Sequence, residues 1–198
     1  MSRFGNLLRR RHSQRPRRPP PLRGFAELVA RPGTPPRLLA NLAAAGFAEP
    51  TPIQRQATPA LLARRELLAV APTGSGKTLA FLLPLAAAAR AAARAEPGTP
   101  GPHAVVLSPT KELSIQTGRV LAPLLPGLRL RASVLSRATA AGTDFSRVDL
   151  LLANPLRLGA MSAEGKVDLS RVRFLILDEA DKLFDMGFTP QVRGLLII

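Results

Sequence analysis

The feature that most constrains this chain is a tight Gly-containing turn, Ala71-Pro-Thr-Gly-Ser-Gly-Lys77-Thr78. It lies between a short apolar run at 67–71 and a helical pattern that begins at Lys77. Gly74 and Gly76 permit backbone conformations that side chains would obstruct. A strand turning sharply into a helix aims the helix's free N–H groups, and its positive end, at one point in space. Such a point holds an anion, and a chain of phosphates suits it well. The backbone of Ala71, Pro72, Thr73, Gly74, Ser75 and Gly76 can wrap the phosphates. Lys77 can reach the β- and γ-phosphates, and the Thr78 hydroxyl can bind Mg²⁺. The strict pattern begins with Gly, where this chain has Ala71.

A second element strengthens that reading. Phe174-Leu-Ile-Leu177 is an apolar strand pattern with Asp178 and Glu179 at its carboxyl end, the edge at which parallel sheets bind ligands. Asp178 can hold the Mg²⁺, directly or through water, and Glu179 can orient and deprotonate an attacking water. Taken alone, a carboxylate pair after a strand reads as a helix N-cap. The phosphate loop upstream favours the nucleotide reading instead.

The rest of the chain past Phe25 reads as one α/β domain. Strands are expected at 67–71, 104–108, 130–135, 148–153 and 173–177. Helices are expected at 36–45 (ending at Gly46), from Lys77, and near 112–124. Short apolar strands alternating with helices predict a parallel sheet covered on both faces. Residues 86–94 are Ala-rich and form helix well, and 97–102 reads as a Pro/Gly loop. His12 and His103 have no partner at metal-ligand spacing, and Phe184 and Phe188 are expected to pack on the core.

Composition narrows the remaining possibilities. The chain has 198 residues, 46% of them hydrophobic, and no Cys, which excludes a disulfide scaffold and a thiolate metal site. The longest uncharged apolar stretch, 79–89, is well short of the roughly 18 residues of a membrane span, so no membrane partner is expected. The net charge is +15, and residues 1–24 carry eight Arg and no acidic residue. This arm cannot bury enough surface to offset its ordering entropy and reads as disordered. It is open to three uses: a salt-sensitive contact to RNA phosphates, a mitochondrial transit peptide, or a solvated tail of biased composition.

Asp178-Glu-Ala-Asp181 spells DEAD, and with the other motifs the chain resembles the N-terminal RecA-like domain of a DEAD-box ATP-dependent RNA helicase. Residues 46–54, GFAEPTPIQ, resemble the family's Q motif, with Phe25 as its upstream aromatic. Pro109-Thr-Lys-Glu-Leu113 resembles motif Ia, and Asn154-Pro-Leu-Arg157 resembles motif Ib. The wording of 66–81 and 181–184 is most similar to a nucleolar branch associated with small-subunit ribosomal RNA processing.

The resemblance covers residues 25–198 and implies a RecA-like P-loop NTPase fold with ATP and Mg²⁺ as its ligands. Gln54 would pair with the adenine edge and Phe25 would stack on the base, unless Phe25 is a core anchor. Thr51 would support the phosphate loop. Lys77, Asp178 and Glu179 would be catalytic, with Thr78 and Asp178 on the metal. RNA backbone would be gripped by Pro109, Thr110, Lys111, Asn154, Pro155 and Arg157. Lys111 stands where the family has Arg, Asn154 where it has Thr, and Leu156 where it has Gly. The double-Gly element expected between motifs Ia and Ib is not evident at 133–142.

The 198 residues hold neither the family's Ser-Ala-Thr element nor its second RecA-like domain, so the domain is expected to be incomplete at its C-terminus. As given, it is expected to be a monomer that binds ATP-Mg and RNA weakly and is not a competent helicase. The implied setting is the nucleus or nucleolus, with pre-rRNA and pre-ribosomal proteins as partners, and the mitochondrion is the alternative. The alternative function is a non-catalytic RNA- or partner-binding module.

Overall fold

The computed structural model describes residues 19–96, 98 and 101–197. Residues 1–18 of the arm, His12 among them, and three positions of the 97–102 loop lie outside the described residues. Four parallel strands, β1 (Ala104–Leu107), β2 (Ala132–Val134), β3 (Leu150–Ala153) and β4 (Phe174–Leu177), form one sheet in the order β2-β3-β1-β4. β1 lies in register with both neighbours, Val105 opposite Leu151 on one side and Leu175 on the other.

Eight α-helices surround the sheet among the described residues: α1 (Pro36–Ala44), α2 (Pro52–Leu62), α3 (Lys77–Ala95), α4 (Lys111–Leu121), α5 (Arg137–Gly142), α6 (Pro155–Ala163), α7 (Ala180–Asp185) and α8 (Thr189–Ile197). Side chains along a strand point alternately to its two faces. Ala104, Val106, Leu150 and Leu152 therefore enter a core with α1 and α3, while Val105, Leu107, Leu151 and Ala153 enter a second core with Leu158, Met161, Leu183 and Val192. Burial on both faces explains why β1 and β3 are apolar at every position.

α3 is long and apolar enough to cross a membrane, judged by length and composition alone. Its surface is taken up by the protein, with every residue from Leu79 to Ala87 buried. Pro84 sits inside it and has no N–H to offer the carbonyl of Ala80. The Thr58 hydroxyl of α2 donates to that carbonyl instead, at 3.1 Å in a fully buried site. The same substitution occurs one helix earlier. Pro59 frees the carbonyl of Arg55, which accepts the N–H of Leu22 at 2.9 Å.

Each proline thus creates an acceptor that docks another segment. Thr58→Val should leave the Ala80 carbonyl unsatisfied and cost about 1–3 kcal/mol in denaturant unfolding. Adding Pro84→Ala, which restores the N–H, should recover much of that loss. No recovery would mean that the Thr58 bond does not replace the missing helix bond.

Several expectations change. Residues 67–71 are not a strand: 65–72 have no regular structure, and Leu68 and Val70 are 85% and 89% exposed. Among the described residues β4 ends the sheet and no strand pairs with this run. Of residues 19–24 of the expected arm, Leu22 is fully buried in the domain while Pro20, Pro21 and Arg23 stay exposed. Phe184 is largely exposed, since α7 turns Leu183 into the core in its place, while Phe188 packs on the second core as expected. Within 133–142, where the double-Gly element was sought, residues 137–142 form α5, capped by Ser136 accepting from the Thr139 N–H.

Candidate functional site

The phosphate loop leaves the irregular run at Ala71 and enters α3 at Lys77. Gly74 and Gly76 have φ of +80° and +90°, a region side chains rarely adopt. Gly76 is also crowded: a Cβ there would overlap Gln54 Nε2 and lie 3.1 Å from Thr51 Oγ1. Pro72, Thr73 and Gly74 are exposed at the tip, while Ala71, Ser75, Lys77 and Thr78 are half-buried. The Ser75 Oγ is buried without a protein partner, an orphan inside the loop that suits a bound ligand. The Lys77 ammonium bonds the carbonyls of Ala71 and of Pro72, the latter at 3.0 Å, and so closes the loop upon itself.

Behind the loop, Gln54 is 3% exposed and both ends of its amide are engaged. Its Nε2 donates to the Gly76 carbonyl at 3.0 Å, and its Oε1 accepts the Thr51 N–H at 3.0 Å. The residue assigned to adenine by resemblance is thus a brace between α2 and the phosphate loop. Phe25 is 7% exposed and packs with Leu22 and Leu28 in the first core. That burial is what the core-anchor alternative expects. Sequence reading missed Arg55, which donates to the carbonyls of Pro50, Leu22 and Arg23 and so ties the 22–25 segment to the Q-like motif. Its position directly after Gln54 was the available signal.

Asp178 and Glu179 follow β4. Burial first, and the Glu179 charge second, pushes the Asp178 carboxyl above the ordinary Asp range. The Thr117 hydroxyl on α4, the Glu179 N–H and Lys77 act in the opposite direction. Glu179 is a non-glycine residue at φ +50°, a strained backbone of the kind found at functional sites, and its carboxylate meets Lys182 at 2.8 Å. No group of three or more His, Cys, Asp or Glu side chains forms a metal site among the described residues. A single half-buried carboxylate with the Thr78 hydroxyl is nevertheless the hard-oxygen set that suits Mg²⁺, which completes its shell with waters and phosphates.

The raised pKa has a consequence for stability. An acid with a raised folded-state pKa contributes stability below its unfolded pKa, about 4, and loses it as pH rises through the folded value. Asp178→Asn should therefore be more stable than the parent at pH 7, with the difference vanishing below about pH 4. Thermal midpoints across that range, measured without Mg²⁺, would reveal it. A less stable variant at pH 7 would show that the carboxylate is structural.

The remaining assigned residues lie at the ends of β1 and β3. Thr110 caps α4 by accepting the Leu113 N–H at 3.2 Å, and Asn154 caps α6 by accepting the Leu156 N–H at 3.0 Å. Asn154 Nδ2 also donates to the Pro109 carbonyl at 2.6 Å, joining the two helix starts. Pro109 and Pro155 are buried, Lys111 is exposed, and Arg157 is half-buried with an Nε that finds no partner. The Thr110 side chain is therefore occupied in capping α4, and the Asn154 side chain in capping α6 and tying the two loops together. What faces outward is a pair of adjoining helix N-termini with Lys111.

Comparison with known proteins identifies the family and the fold. Residues 51–197 match the family model described as DEAD/DEAH box helicase. The chain is 45% identical over 176 residues to DEAD-box ATP-dependent RNA helicase 57 of Arabidopsis thaliana, covering 88% of this chain and 32% of that protein. It is 44% identical over 183 residues to ATP-dependent RNA helicase ROK1 of Meyerozyma guilliermondii, covering 90% of this chain and 34% of that one. The chain thus spans about a third of the length of the curated relatives it matches. Among solved structures it resembles the RNA-helicase Prp28 from Chaetomium thermophilum bound to ADP, with a TM-score of 0.79, 34% identity, and coverage of 90% of this chain and 43% of that one. It also resembles a DEAD box protein from Methanococcus jannaschii, with a TM-score of 0.73, 28% identity, and coverage of 87% and 46%.

Proposed function

The chain belongs to the DEAD/DEAH box helicase family, and on that premise we propose that it is the ATP-binding part of an ATP-dependent RNA helicase. The observation that carries this reading is the Gly74–Gly76 loop, with both glycines at positive φ, opening α3, and the half-buried Asp178 carboxylate within electrostatic reach of Lys77. The loop's N–H groups and Lys77 bind the phosphates of ATP, while Thr78 and Asp178 hold the metal. Mg²⁺ when bound neutralises charge that develops on the phosphates. Glu179 accepts a proton from the attacking water. Lys77 must first leave the Ala71 and Pro72 carbonyls, so ATP binding by this chain is weak.

RNA is bound through its backbone, on the paired N-termini of α4 and α6 with Lys111 and Arg157. Recognition at phosphates carries no base information, so it is independent of sequence. The finer placement in small-subunit rRNA processing, with a nucleolar setting and pre-ribosomal partners, rests on the wording of 66–81 and 181–184. The alternative setting, a mitochondrion, rests on the Arg-rich N-terminus.

Fluorescence anisotropy with two labelled single-stranded RNAs of unrelated sequence tests the RNA reading. Similar affinities that fall with salt are expected, with a salt slope reduced by about 1 in Lys111→Ala. A strong preference for one sequence, or no binding at low salt, contradicts it.

A further inference from the structure

The turn that leads from α4 into β2, residues 126–131, reads Pro-Gly-Leu-Arg-Leu-Arg. Its alternation sorts the side chains. Leu128 is fully buried in the first core and Leu130 packs against that core, while Arg129 and Arg131 are exposed. Two more arginines reach the same turn from other elements. Arg37 of α1 lies across Gly127, which stands at φ +74° and where a Cβ would fall 2.6 Å from Arg37 Nε. Arg90 of α3 donates through its Nε to the Leu128 carbonyl at 3.2 Å. The Asn41 amide of α1 holds the turn in place by donating to the carbonyls of Leu124 and Pro126, both at 2.8 Å. Segments remote in sequence thus bring four arginines to one short stretch of the protein.

These charges lack a partner of opposite sign. Among the described residues, no carboxylate lies within ion-pair distance of Arg37, Arg90, Arg129 or Arg131. The Asp149 carboxylate accepts the Arg131 main-chain N–H at 2.8 Å, and Asp144, which feels Arg131 at longer range, is held by the Ser146 hydroxyl at 2.5 Å. Like charges gathered without a counter-charge repel one another, and a polyanion relieves that repulsion. None of the large hydrophobic side chains that stand exposed among the described residues belongs to this stretch. A protein partner calls for an apolar centre to its interface. Phosphates need only charge and hydrogen-bond donors, which guanidinium groups supply in pairs. Lys111 opens α4 and the turn follows its far end, so a helix length of about 16 Å separates the four arginines from the paired N-termini of α4 and α6.

We propose that Arg37, Arg90, Arg129 and Arg131 form a second RNA-backbone contact, on the side of the sheet where the strands begin, that grips the phosphates of RNA extending past the α4–α6 face. It rests on the reading of RNA as this chain's partner, but it shares no residue with that face or with the nucleotide loop. Two contacts a helix length apart let one RNA engage both, so each raises the effective concentration of RNA at the other.

The test is fluorescence anisotropy on the full chain with a labelled RNA hairpin that carries a single-stranded tail, titrated at several salt concentrations. Arg37→Gln, Arg129→Gln and Arg131→Gln are combined, since all three side chains are exposed and the Arg90 bond stays in place. Matching circular dichroism and thermal midpoints show that the fold persists, and the Arg-rich N-terminus is common to every variant. The triple variant should bind more weakly than the parent at low salt, with a salt slope smaller by roughly 2 to 3. The corresponding triple Lys variant keeps the charges and should recover most of that slope. Combined with Lys111→Ala, the losses in slope should add, as expected of separate contacts. A triple Gln variant with the parent's affinity and slope overturns the proposal and leaves RNA as the partner. So does a loss already complete in Lys111→Ala, which would place all these groups on one contact. Polyglutamate that competes as well as RNA at equal ionic strength, and no longer binds the triple Gln variant, also overturns it, because the arginines would then dock acidic protein. A parent chain that binds no RNA at low salt removes both the proposal and the reading beneath it.

Discussion

Gly76→Ala should remove most Mg-ATP affinity while the two cores keep their packing. The residue starts α3 at φ +90°, and its missing Cβ is what lets Gln54 and Thr51 close against the loop. An alanine held in the left-handed region costs about 1–2 kcal/mol. Displacing the Gln54 amide from the Gly76 carbonyl adds about 0.5–1.5 kcal/mol. The nucleotide-free loop can relax away from this strain, because its tip is exposed and bears no core residue. The bound loop cannot relax, so the penalty falls on binding. A loss of about 2–3 kcal/mol corresponds to roughly 30- to 150-fold in affinity. Calorimetric titration reads that loss, and a nearly unchanged thermal midpoint would locate it in the loop. Parent-like affinity would show that the positive-φ geometry is not the binding geometry.

Glu179→Gln should separate binding from chemistry. The amide keeps the size and backbone of Glu179 but cannot take a proton from water. Loss of general-base assistance is worth about 10²- to 10⁴-fold in the hydrolytic step. Affinity for Mg-ATP should change little, because Lys77, Thr78 and Asp178 are untouched. Single-turnover cleavage of radiolabelled ATP, alongside equilibrium binding, separates the two quantities. The contact with Lys182 needs its own control, since the glutamine also loses that ion pair. Lys182→Met should leave the cleavage rate within a few-fold of the parent. If Lys182→Met matches the loss in Glu179→Gln, the glutamate acts by position and not as a base.

Much of this was legible in the sequence because the elements obey local rules. Four of five expected strands appear within a residue or two, since 104–107 and 150–153 are apolar runs that only a doubly covered sheet accommodates. The fifth, at 67–71, has the same composition but no partner strand among the described residues, and pairing is a property of neighbours that a local pattern does not carry. The turn at 71–78 was legible because its glycines serve a backbone requirement. Contacts remote in sequence were not. Thr58 reaching the carbonyl freed by Pro84 is visible only once α2 lies against α3. Likewise, family resemblance assigns Gln54 and Asn154 to ligands, whereas both amides hold loops together in this structure. Phe184 and Leu183 are adjacent and both apolar, and only the angle at which α7 leaves Glu179 decides which is buried.

The central claim is that the loop at 71–78 is a nucleotide site. Calorimetric titration of Mg-ATP into the chain and into Lys77→Ala, at equal concentration and low salt, tests it most directly. Saturable one-to-one binding by the parent, lost in Lys77→Ala while both proteins keep the same circular dichroism, is the predicted result. No binding by the folded parent, or equal binding by both proteins, would contradict the account.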